Sequence, residues 1–120
     1  MNISKMIETI KKHPDYHKSG MILCHNGVVR QTSRDGRKVT GLKVAVNHKK
    51  LEQILSEQKK RPGIIDILIE IDKDKDLSVG DDVMGIVVAG DIRENVIACL
   101  TDTLNAVKST VTSKTEFFEE

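Results

Sequence analysis

Arg93, Lys108 and Lys114 are the residues whose types and spacing point most directly to chemistry. A strand leads into Gly90-Asp91-Ile92-Arg93-Glu94, and an amphipathic stretch runs on to Lys108. Asp91 reads as an N-cap with Glu94 three residues on, a capping-box pattern. Arg93 then falls in the first helical turn, where a cation opposes the helix dipole unless an anion binds beside it. Lys108 lies about four turns away by the helical repeat, and Lys114 follows in a segment with little apolar pattern. Together these cations suit a small anionic molecule. Taken singly, Lys108 complements a helix C-terminus without any ligand, and Arg30 reads equally as an exposed strand residue.

The elements that must position them follow from hydrophobic period. Ile3, Met6, Ile7 and Ile10 make one helical face, stopped by His13-Pro14. Residues 20–31 read as a strand, with Gly27 marking a bulge or a close backbone approach. Arg34-Asp35-Gly36-Arg37 reads as a hairpin turn. Residues 39–46 alternate, with Leu42, Val44 and Val46 inward and Lys43 outward. A helix is expected over 48–60, ended by Pro62-Gly63, then buried strands over 64–71 and 83–89. The last helix should bury Ile92, Val96, Cys99, Leu100, Leu104 and Val107. The order α-β-β-α-β-β-α predicts one α+β domain with a mostly antiparallel sheet and helices on one side.

Composition bounds the function. The chain has 120 residues, 38% hydrophobic and 31% charged, a globular balance. No apolar run reaches the ~20 residues of a membrane span, and no signal-peptide core follows Met1, so a cytoplasmic protein is expected. Cys24 and Cys99 read as reduced, core-facing thiols. Residues 1–62 carry 14 Lys and Arg against 5 Asp and Glu, and residues 63–120 carry 5 against 13. Such halves read as two solvated faces, or as surfaces that attract a second copy or a charged partner. With Tyr16, Phe117 and Phe118 the only aromatics and no Trp, base-stacking platforms are missing, which argues against single-stranded nucleic acid.

Other sites are disfavoured. Asp72-Lys73-Asp74-Lys75-Asp76 resembles the start of a calcium loop, but positions six and twelve are Leu77 and Val83 rather than Gly and Glu. His13, His17, Cys24, His25 and His48 lack ligand spacing, so no metal is expected. Neither a nucleophile elbow nor a phosphate-binding Gly-rich loop is present.

Several segments, in order, resemble the large, catalytic subunit of molybdopterin synthase. Gly20 to Arg30 resembles that family's "G-A-x-x-x-F-x-G-x-V-R" strand. Leu77-Ser78-Val79-Gly80-Asp81-Asp82 resembles its "L-x-x-G-D/E-E" turn. Asp91-Ile92-Arg93 resembles the "x-H-R" that opens its long helix, Val107-Lys108 the "L-K" that ends it, and Lys114-Thr115-Glu116 its "W-K-K/R-E". The resemblance covers residues 20–116, after an N-terminal helix and loop in residues 1–19. It implies an α/β-hammerhead-type fold and a homodimer. It also implies a small ubiquitin-like partner whose C-terminal Gly-Gly carries a thiocarboxylate. The reaction would move sulfur onto cyclic pyranopterin monophosphate, giving molybdopterin, with no cofactor. Lys108 would be the main catalytic lysine and Lys114 the second. Arg30 and Arg93 would hold the anionic pterin, with His25 and Ile92 beside it. Ile92 stands where the family has His, and His25 where it has Phe. A non-catalytic paralogue binding an anionic pterin, a nucleotide or a ubiquitin-like tail is the alternative, and an unrelated α+β interaction domain a third.

Overall fold

The central strand is apolar for a physical reason: both of its faces are covered. In the computed structural model, which describes residues 2–120, β5 (Asp82–Gly90) lies between β1 (Met21–Val28) and β3 (Ile64–Ile71) in an antiparallel sheet. On one face, Val87 and Ala89 meet Met6 and Ile10 of α1 (Ile3–Lys11). On the other, Met84, Ile86 and Val88 join a core built from α2 (His48–Lys59) and α3 (Arg93–Ala106). The helices therefore sandwich this sheet, where the sequence suggests that they share one side. A strand buried on both faces loses the alternation that marks a half-exposed one.

α1 and α2 begin alike. The Asn2 side chain accepts from the Lys5 amide and the Asn47 side chain from that of Lys50, each satisfying an otherwise orphaned donor. At the far end of α2, Arg61 donates to Gln58 at 3.0 Å and to Asp102 of α3 at 2.7 Å, tying the two helices together.

A second antiparallel sheet has the order β4 (Leu77–Ser78), β2 (Val39–Val46), β6 (Thr112–Phe118). Val29, Val39, Leu42, Val44 and Leu77 form its core. The Arg34–Arg37 turn forms, with Gly36 at φ +88° and the Ser33 amide donating to the Arg37 carbonyl. Yet it joins strands of different sheets: β1 pairs with β5, and β2 with β4 and β6. β6 lies where the sequence shows only a fading pattern. Its polar residues are ordered by the ladder to β2, with Lys114 opposite Val44.

Two burial expectations change. Cys99 is buried, but Cys24 is exposed on β1. Ile92 is 54% exposed, and Thr103 takes a core position on α3 instead. Among the described residues, no helix is long and apolar enough to cross a membrane.

Candidate functional site

The two sheets and the end of α3 enclose a cleft of about 770 Å³. Two of its candidate side chains, Arg30 and Lys108, are delivered by local irregularities. β1 bulges between Gly27 and Val28, as its glycine suggests, which bends the chain toward the second sheet. The turn after β4 fixes the bend. The Val29 amide donates to the Asp81 carbonyl and the Gly80 amide to the Val29 carbonyl, both at 2.9 Å. Gly80 holds φ +90°, and Asp81 closes the turn by accepting from the Ser78 amide at 2.8 Å. Arg30 follows at the cleft wall, its Nε donating to the Thr32 carbonyl at 2.7 Å.

Lys108 arrives by a different route. α3 does not stop at its last α turn but widens into a π turn over Val107–Val111. Val107 and Val111 are both buried and clamp the wide turn, leaving Lys108 exposed at the cleft. Single π turns of this kind are often found at functional sites. The chain then reverses into β6, whose Lys114 and Glu116 complete the far wall. Lys114 Nζ lies 3.8 Å from Glu116 Oε1, so part of its charge is already balanced.

His25, Arg30, Lys108 and Lys114 thus line one cleft although they are far apart in the chain. Arg34, Ser33 and Glu116 join them, and sequence reasoning missed these as site residues. Arg34 and Ser33 lie in a segment that reads as an ordinary turn. Glu116 was visible only beside Lys114. Burial, and then the charge of Lys108, pushes the His25 imidazole below its ordinary pKa. With four cationic side chains and one carboxylate, the cleft suits an anion with an extended apolar body, which Val39, Leu42 and Val44 would meet.

Ile92 and Arg93 lie outside this cleft. They follow Gly90, at the opposite end of β5 from Val83 and Met84, which line it. Arg93 is 80% exposed and lies 3.7 Å from Glu94. The expected capping box is also rearranged. Ile92 occupies the N-cap position with no side-chain bond. Asp91, one residue earlier, accepts from the Ile92 amide at 2.6 Å and from Asn95 at 2.9 Å. These bonds hold its carboxyl below the usual carboxylate range. No group of three or more His, Cys, Asp or Glu side chains converges as a metal site among the described residues.

Comparison with known proteins bears on this arrangement. The family model for MoaE protein matches residues 1–110, a span that takes in His25, Arg30, Arg93 and Lys108 and stops short of Lys114. Molybdopterin synthase from Staphylococcus aureus is similar in structure, with 26% identity and a TM-score of 0.73 over 86% of this chain and 77% of that one. Molybdopterin cofactor biosynthesis protein E from Burkholderia multivorans aligns at 22% identity and a TM-score of 0.78, covering 99% and 82%. The complex of subunits 1 and 2 of molybdopterin-converting factor from Helicobacter pylori aligns at 14% identity and 0.73, covering 99% and 80%. These last two speak to the fold alone. No curated protein sequence matches. With the family model spanning nearly the whole chain, this protein belongs to the MoaE family, the large subunits of molybdopterin synthase in molybdenum cofactor biosynthesis.

Proposed function

We propose that this chain transfers sulfur from the C-terminal thiocarboxylate of a small ubiquitin-like subunit to cyclic pyranopterin monophosphate, giving molybdopterin. The observation that carries this reading is the meeting of Arg30, Lys108 and Lys114 in one cleft of a MoaE-family chain. The substrate's cyclic phosphate is anionic, and so is the donor's thiocarboxylate. Arg30 offers a forked donor set for phosphate. Lys108 offers a compact ammonium for the oxygen that becomes negative when the donor's acyl carbon is attacked. Lys114, held by Glu116, orients the same substrate from the opposite wall. The Helicobacter pylori relative was solved as a complex of two subunits, which supports a small-subunit partner here.

A homodimer belongs to the same reading. On this reading Arg93, which sits at the wrong end of β5 to reach the cleft of its own chain, would meet substrate from a second copy. The pairing of Lys114 with Glu116 and the exposed Ile92 favour a rival reading, a paralogue that binds an anionic pterin without turnover. A single-turnover assay separates the two. The chain is mixed with thiocarboxylated small subunit and cyclic pyranopterin monophosphate, and molybdopterin is followed by its fluorescent oxidation product. Product that is lost in Lys108→Ala supports transfer. Ligand binding with no product from a folded chain and a competent partner supports the paralogue.

A further inference from the structure

One ionisable side chain in the cleft has a ring that no hydrogen bond engages among the described residues: His25. It shares a face of β1 with Gly27, and its ring folds over that glycine. A β carbon at Gly27 would stand 3.2 Å from His25 Nε2, so glycine gives the imidazole its place. Beside it on the neighbouring strand, Ile86 and Met84 pair with His25 and Gly27 and are buried. The ring is thus flanked by an apolar strand, half-buried, and turned to the same cleft as Lys108.

The chemistry asks for a proton acceptor there, if the sulfur-transfer reading holds. A thiocarboxylate that gives up its sulfur must end as a carboxylate, so an oxygen has to reach its acyl carbon. Water is the available source. When the donor's sulfur displaces an oxygen substituent from a pterin side-chain carbon, that carbon–oxygen bond breaks, the oxygen leaves with the electron pair and takes up a proton, and the two molecules are joined as an acyl thioester. We propose that His25 is the catalytic base for this hydrolysis, taking a proton from the attacking water while Lys108 faces the oxyanion. A carbon–oxygen bond forms and the carbonyl electron pair moves onto oxygen. Collapse breaks the carbon–sulfur bond, and sulfur leaves with its electron pair as the pterin thiolate. The imidazolium returns its proton to that thiolate. The second water proton is lost as the new acid ionises. Thioester and water thus become carboxylate, thiol and one proton, with no oxidant or reductant.

The surroundings favour the neutral, proton-accepting ring. Burial and the Lys108 charge both lower its pKa. The other charged groups lining the cleft are the cations Arg30, Arg34 and Lys114, and Glu116, which Lys114 engages. Hydrolysis should therefore fall away only as the pH drops below the ordinary imidazole range.

The test is single turnover with the full chain and thiocarboxylated small subunit, from about pH 5.5 to about 8.5, with thermal melts of each variant. His25→Gln should slow product release on the order of 10²- to 10⁴-fold. It should lose the acid limb of the profile, and mass spectrometry should show the small subunit accumulating as its pterin thioester. Added imidazole should rescue a folded His25→Ala, which a structural role would not allow. Product from wild type together with an unaltered rate and acid limb in His25→Gln overturns this assignment alone, as does a folded His25→Ala that imidazole leaves inactive. No product from wild type with a competent partner overturns the sulfur-transfer reading, and the assignment with it.

Discussion

The charge of Lys108 acts on His25 across the cleft. The ammonium lowers the imidazole pKa, second only to burial. Lys108→Ala should therefore move the His25 titration upward, read by NMR of the ring protons. An unmoved His25 would mean that the π turn does not hold Lys108 at the cleft in solution. A base whose pKa is lowered in the folded state favours the fold above its ordinary value, and that contribution is lost as pH falls through the lowered one. His25→Gln should flatten the decline in melting temperature below the ordinary imidazole range. In turnover, removing one oxyanion partner is expected to cost on the order of 10²- to 10³-fold. Lys108→Ala should show that loss at substrate saturation, since its effect belongs to the transition state. A purely KM effect would make Lys108 a binding group instead.

At the scale of elements, what was legible in the sequence was whatever had a period or a cap. α1 is the clearest case: Met6 and Ile10 are spaced for one face, and that face lies on Val87 and Ala89. Ile10 is fully buried, so Ile10→Ala should cost about 2–5 kcal/mol in denaturant unfolding. A loss under about 1 kcal/mol would mean that α1 is not docked. β6 was not legible, because Thr112-Ser113-Lys114-Thr115-Glu116 has no apolar alternation and owes its order to β2. The start of α3 misled for a related reason. Asp91 and Glu94 have capping-box spacing, yet Asp91 bonds Asn95 and lies one residue too early. It is held there by Gly63, whose φ of +79° and lack of a side chain make room for the Asp91 carboxylate. Gly63→Ala would both strain that backbone and strike Asp91, so it should fray α3 at its first turn. Hydrogen exchange at Val96 and Ile97 reports this directly. The cleft itself was only partly legible. Lys108 stood out by its place at the end of the long helix and Arg30 by resemblance, whereas Arg34 and Ser33 enter because the β1–β2 connection crosses between sheets, a fact no local pattern carries.

At the scale of the whole molecule, the proposed homodimer would have to bring Arg93 of one copy to the Lys108 cleft of the other, because the two residues lie toward opposite ends of β5. Within one chain they cannot meet at the cleft. In a closed twofold dimer each copy presents the same surface to the other, so an Arg93 that reaches across one way also reaches back. This makes a sharp prediction for mixtures. Arg93→Ala and Lys108→Ala should each be nearly inactive as pure proteins. Mixed in equal amounts and allowed to exchange, half of the dimers become hybrids. In each hybrid one cleft combines the intact Lys108 of one copy with the intact Arg93 of the other, while the second cleft lacks both. Activity should return to about a quarter of wild type, since about one cleft in four is whole. Activity that stays at the level of the separate variants would place Arg93 outside the reaction. Full activity in pure Arg93→Ala would do the same, and would leave its first-turn charge to the Glu94 beside it.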